Sequence, residues 1–134
     1  MPKFRKVPAC LADVVHQVIS DLDLEERFRV EVDIPNNIPL PAPVRPLAEI
    51  VSALAEQATA SMEAGGEVAF IGWESPDACE LEIADSGRGL LERPCDLPAA
   101  MQMTGAELSW QNCPQGGAAV TVRFAKQQIS RQAA

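Results

Sequence analysis

Cys79-Glu80-Leu81-Glu82-Ile83-Ala84-Asp85-Ser86-Gly87-Arg88-Gly89 is the stretch on which the reading of the fold turns. Its first half alternates, with Leu81 and Ile83 on one face, the period-two pattern of a half-buried strand. Its second half ends that strand. Asp, Ser and Gly are turn formers, and glycine reaches positive φ without steric penalty and lets the backbone approach a neighbour closely. Just upstream, Val68 to Trp73 reads as another strand and Ser75-Pro76-Asp77 as a turn, so the two runs form a hairpin.

Working outward, Leu11, Val14, Val15, Val18 and Ile19 recur at helical spacing between Pro8 and Leu22, with Pro8 in a tolerated first-turn position. Phe28, Val30, Val32 and Ile34 alternate with Arg27, Arg29, Glu31 and Asp33, which predicts a half-buried strand ended by Pro35. Prolines at Pro35, Pro39, Pro41, Pro43 and Pro46 make residues 35–46 an extended connector. Leu47, Ile50, Val51, Leu54 and Ala58 form a second helical stripe running to Met62, with Gly65-Gly66 as its stop. Downstream, a short helix is expected from Leu97 to Thr104. Two final strands follow, Ala106 to Gln111 and Ala118 to Lys126, joined by the polar, Gly-rich Asn112 to Gly117. This order predicts an α+β fold, a two-layer α/β sandwich whose mixed sheet of about five strands carries two long helices and one short helix on one face. The expected boundaries are an N-terminal extension at 1–7, one domain at 8–126 and a polar tail at 127–134. Trp73 and Trp110 fall in strands and are expected to be packing residues.

A chain of 134 residues is one domain's worth. Hydrophobic residues at 47% and charged residues at 22% are ordinary globular usage. Aromatics are 4% and Tyr is absent, so the core is built from Leu, Val, Ile and Ala. The net charge of −8, from 19 acids against 11 bases, leaves no basic footprint for nucleic acid and disfavours an anionic membrane surface. No apolar run approaches the roughly 20 residues that span a bilayer. Met1-Pro2-Lys3-Phe4-Arg5-Lys6 is basic, but no long apolar run follows it, so no signal peptide is read there. Cys10, Cys79, Cys95 and Cys113 are widely spaced without a Cys-x-x-Cys pair and read as free thiols, which makes a cytoplasmic location the expectation.

The Asp-x-Gly-x-Gly at Asp85, Gly87 and Gly89, placed after a hairpin with a long helix upstream, resembles one family. It looks like the ATP-binding domain of sensor histidine kinases, within the superfamily of gyrase-type ATPases and MutL (the Bergerat fold). Thr104 to Trp110 and Gly116 to Phe124 look like that family's last strand pair. The resemblance implies that the Asp85 carboxylate accepts a hydrogen bond from the exocyclic amine of adenine. It implies that Gly87 and Gly89 let backbone approach the nucleotide, and that Gln57 stands where an Asn coordinates magnesium. ATP and magnesium are the implied cofactors. A response regulator, or a dimerisation domain bearing the acceptor histidine, is the implied partner.

The sequence also departs from the family's pattern. Gln57 offers a carbonyl oxygen, a suitable hard ligand, but on a side chain one methylene longer. Ala53, four residues earlier, stands where the family has Asn or the Glu that activates water, and it can do neither. Glu49 and Glu56 on the same helix read as solvated charges. From Leu90 to Pro98 there is no Gly-x-Gly, and Arg88 and Arg93 are the nearby cations, so the lid and the second phosphate-gripping box read as deleted. Ala118 and Ala119 occupy the region of an expected hydroxyl. His16 is followed by Gln17 rather than an acid and is expected to be a surface or boundary residue, not a phosphoacceptor. The function expected is therefore a degenerate histidine-kinase-like domain in two-component signalling. It would bind ATP weakly or not at all, dock response regulators and carry no catalytic residue of its own. The alternatives are a working catalytic domain that phosphorylates a histidine on a separate segment, or an anti-sigma-factor serine kinase. The latter keeps the metal-binding Asn and both glycine boxes, whereas here the Asn and the second box are missing.

Overall fold

A computed structural model describes residues 7–62, 65–87, 89, 99–113 and 116–126. The expectations placed on 1–6, on the Leu90–Pro98 interval with Arg88, Arg93 and Cys95, and on the tail 127–134 lie outside the described residues. The elements in chain order are α1 (Leu11–Asp21), a single 3₁₀ turn (Leu24–Glu26), β1 (Arg29–Asp33), α2 (Val44–Ala60), β2 (Glu67–Glu74), β3 (Ala78–Asp85), α3 (Ala100–Thr104), β4 (Glu107–Asn112) and β5 (Ala118–Ala125). The strands form one five-stranded sheet in the order β1-β2-β3-β5-β4. β1 runs parallel to β2, and the other pairings are antiparallel. The result is the two-layer, mixed-sheet sandwich that the alternation of patterns predicts.

Each layer follows from its periodicity. On α1 the residues Leu11, Val14, Val15, Val18 and Ile19 are buried, one stripe of an amphipathic helix. Val68 and Phe70 of β2, Leu81 and Ile83 of β3, and Val120, Val122 and Phe124 of β5 form the sheet's contribution to the same core. Phe70 and Leu81 are fully buried. Gly72 faces this layer too: a Cβ there would stand 3.0–3.3 Å from the side chains of Ile34 and Leu11, so the glycine lets them close over β2.

Two helix starts differ from the sequence expectation. α1 begins at Leu11, not in a turn containing Pro8. Cys10 is extended and bridges antiparallel to Pro39, and the Leu11 N–H donates to the Ile38 carbonyl at 3.0 Å, so the backbone before α1 pairs with the proline-rich connector. α2 begins at Val44 rather than Leu47. Pro46 lies inside its first turn, where a backbone N–H has no helical partner to lose.

The sheet face away from the helices holds the other surprise. Trp73 projects there, 37% exposed, with its Nε1–H donating to Glu80 Oε2 at 3.2 Å, and is not the packing residue expected. Trp110, on the opposite parity of β4, does pack partly buried against the core. Ala69, Ala84 and Ala119 stand in register across β2, β3 and β5 on the open face. Among the described residues no helix is long and apolar enough to cross a membrane. Cys10, Cys79 and Cys113 are free thiols. Burial, reinforced by the nearby Glu74 carboxylate, pushes the Cys79 thiol up to about 11.

Candidate functional site

β3 carries Leu81, Ile83 and Asp85 on its helix-facing side, so the strand that builds the core also delivers a carboxylate to its edge. Asp85 is 6% exposed, and with Thr59 it is one of the buried polar side chains among the described residues. Its Oδ1 accepts the Gly87 N–H at 2.9 Å, a local turn that Asp-x-Gly sequences form readily. The structure thus brings Asp85 and Gly87 together.

The turn is pressed against the end of α2. A Cβ on Gly87 would run into the Ser61 hydroxyl and stand 2.9 Å from Ser61 Cβ. Ser61 ends the helix by donating its hydroxyl to the Ala58 carbonyl at 2.8 Å. Next door, Ser86 Oγ accepts the Glu67 N–H at 3.0 Å and donates to Met62 Sδ at 3.4 Å. Gly66 leaves room for that contact, since a Cβ there would stand 2.7 Å from both Met62 Sδ and Ser86 Oγ. From the other side, Gly117 at the start of β5 backs onto Asp85. A Cβ at Gly117 would drive into the Asp85 carbonyl oxygen. Gly89 adopts φ +93° beside Asn112, whose Oδ1 would lie 2.8 Å from an added Cβ.

Gln57 is half-buried on α2, with its Oε1 atom buried, one turn before Ser61. Ala53 is half-buried one further turn back. Glu49 is ion-paired with Arg45 at 3.8 Å across one exposed helical turn, and Glu56 is exposed, both as the surface-charge reading expects. His16 is exposed on α1. Continuing the β3–β5 register by one residue from Ala84↔Ala119 sets Ala118, fully buried, opposite Asp85.

The structure sets Ser61 against Gly87, Gly117 against Asp85, Asn112 beside Gly89 and Met62 against Ser86, neighbours that the motif itself does not signal. The pair Gly116-Gly117 just before a strand was the available signal for the second of these.

No protein-family model and no curated protein matches the sequence. Solved structures do match in shape. The mycobacterial sensor histidine kinase MprB aligns at 16% identity and TM-score 0.70, over 90% of this chain and 97% of that one. The catalytic domain of the histidine kinase ThkA aligns at 10% identity and TM-score 0.74, also over 90% and 97%. The Acinetobacter baumannii histidine kinase AdeS aligns at 16% and 0.74, over 95% of this chain and 70% of that one. ThkA in complex with the response regulator TrrA aligns at 14% and 0.68, over 88% of this chain and 41% of that one. At these identities the likeness is one of shape, and it is consistent across them: the chain has the fold of a histidine-kinase catalytic domain.

Proposed function

We propose that this chain is a histidine-kinase-like ATP-binding domain reduced to a docking module of two-component signalling. It binds ATP weakly or not at all and engages a response regulator from a cytoplasmic position. The residues fit the adenine end of a nucleotide. Asp85 is a buried acceptor of the kind that receives an exocyclic amine, and Gly87 keeps side-chain bulk away from it. At the magnesium end Gln57 offers a carbonyl oxygen on a longer side chain, but Ala53 one turn earlier offers no ligand. Metal and phosphate contacts supply most of the positioning and charge stabilisation in phosphoryl transfer.

The observation that carries the reading is the α2 face leading to the Asp85 turn. Successive turns present Ala53, Gln57 and Ser61, of which Ala53 has no ligating atom. Ala118 opposite Asp85 adds no hydroxyl. A docking role draws support from ThkA, a kinase of the same fold solved with a response regulator.

The test is calorimetric titration of the folded chain with a non-hydrolysable ATP analogue, with and without magnesium, beside titration with receiver domains from the same organism. No nucleotide heat at millimolar ligand, together with saturable receiver binding, is expected. Magnesium-dependent binding tighter than about 100 μM, roughly −5.5 kcal/mol, that Asp85→Asn abolishes would overturn the reading in favour of a working catalytic domain.

A further inference from the structure

The open face of the sheet carries a groove of about 420 Å³ that reaches the Asp85 turn at one end and is lined by Arg29, Glu31, Glu67, Ala69, Ala84 and Asp85 among others. Ala69 and Ala84 are a registered pair and form its floor, and Ala119 continues the row on β5. Along β2 the same face continues to Ile71 and to Trp73, which is 37% exposed. At about 3.3 Å per residue, Ala69 to Trp73 makes a low apolar strip roughly 13 Å long. Glu31, Asp33, Glu80 and Glu82 flank it in register. Of the cations on this face, Arg29 stands in register with Glu67, and Arg123 and Lys126 are paired with Glu107 (3.8 Å) and Glu74 (2.9 Å), which leaves the carboxylates in excess. Glu31, Glu67 and Glu82 take part in no ion pair among the described residues.

We propose that this face docks a cationic, partly apolar segment of a partner protein. The stem of a lysine or arginine lies over Ala69 and Ala84 with its charged head between Glu31 and Glu67, and an aliphatic residue covers Ile71 and Trp73. Charge complementarity selects this occupant. A second copy of the chain would oppose like carboxylates across the interface, which costs affinity and blocks association. Nucleic acid and anionic lipid are repelled for the same reason. Long cationic side chains suit a small-residue floor because the stem is covered while the head stays near water and counter-charge. The exposed indole adds a face that attracts cations as well as apolar groups. None of this rests on the nucleotide or regulator reading.

The experiment titrates a synthetic amphipathic leucine–lysine peptide into protein carrying Trp110→Phe, so that Trp73 is the remaining indole. Hexalysine is the charge-only control. Saturable binding with a blue shift of Trp73 emission is expected. Combining Glu31→Gln with Glu67→Gln should weaken binding about tenfold or more, whereas Glu25→Gln with Glu26→Gln, on the 3₁₀ turn, should change it less than about twofold. Hexalysine should bind about tenfold more weakly than the amphipathic peptide. Equal weakening by the two glutamate pairs, hexalysine binding as tightly as the peptide, or Trp73 emission unmoved at saturation would each overturn the proposal. Ala84→Arg, which fills the groove with a stem and a cation, should abolish binding. Should that variant misfold by circular dichroism, the exposed glutamate pair still decides.

Discussion

Gly116 and Gly117 are adjacent and both at positive φ, 101° and 87°, yet their surroundings differ. A Cβ on Gly116 meets nothing within 4 Å. One on Gly117 drives into the carbonyl oxygen of Asp85 and stands 2.8 Å from the Asp85 carbonyl carbon and 2.9 Å from Ser86 Cα, all backbone atoms that no rotamer change can move aside. Both substitutions to Ala share a strain of roughly 1–2 kcal/mol for an L-residue at positive φ. Both recover about 0.4–1 kcal/mol because the unfolded chain becomes stiffer. Gly116→Ala should therefore destabilise by about 1 kcal/mol or less. Gly117→Ala must in addition displace backbone of the turn after β3, an overpacking cost of roughly 1–3 kcal/mol, for a total of about 2–4 kcal/mol. That is a large share of the 5–15 kcal/mol typical of a domain. Urea unfolding followed by circular dichroism reads both variants, with unchanged slopes expected. The melting temperature of Gly117→Ala should fall by roughly 6–12 °C. If the two variants unfold within about 0.5 kcal/mol of each other, Asp85 is not held from behind by Gly117.

Phe70→Ala empties a fully buried site and should cost about 3–5 kcal/mol in the same urea assay. Trp73→Phe should change stability by less than about 0.5 kcal/mol, since the indole is exposed and its bond to Glu80 lies at the surface. Cys79 should resist iodoacetamide in the native protein at about pH 8 and become labelled only in urea, as counted by peptide mass spectrometry. Its folded pKa of about 11 lies above the ordinary 9.0, so the folded state keeps a proton that the unfolded chain releases. The thiol's contribution is therefore complete below pH 9 and is lost as pH rises towards 11; a stability series that climbs across that window contradicts the assignment.

The parts of the fold legible in sequence are those where one-sided burial imposes a local period. The stripe on α1 and the alternation of β3 are of this kind, and both emerged with the expected faces inward. The start of α2 was hidden because proline carries two meanings: it builds an extended connector, and it also fits a first helical turn, as Pro46 does. Trp73 misled because size suggests burial, whereas its parity on β2 is that of Ala69 and Ile71 on the open face. The site divides the same way. The Asp85–Gly87 bond spans two residues and can be read from the motif itself. The contacts of Gly87 with Ser61 and of Asp85 with Gly117 join segments far apart in the chain, and nothing local encodes them.

β1 forms one edge of the sheet, and among the described residues no strand pairs on its outer side. A bare row of backbone donors and acceptors is a template on which another molecule can polymerise. Here that template is only five residues long. Arg29, Glu31 and Asp33 set charge at every second position, and Pro35, which has no N–H to offer, follows closely. A second chain laid along this edge finds few bonds to make before it meets a residue that cannot donate one. The protein is thereby guarded against strand-by-strand aggregation along this edge of its sheet.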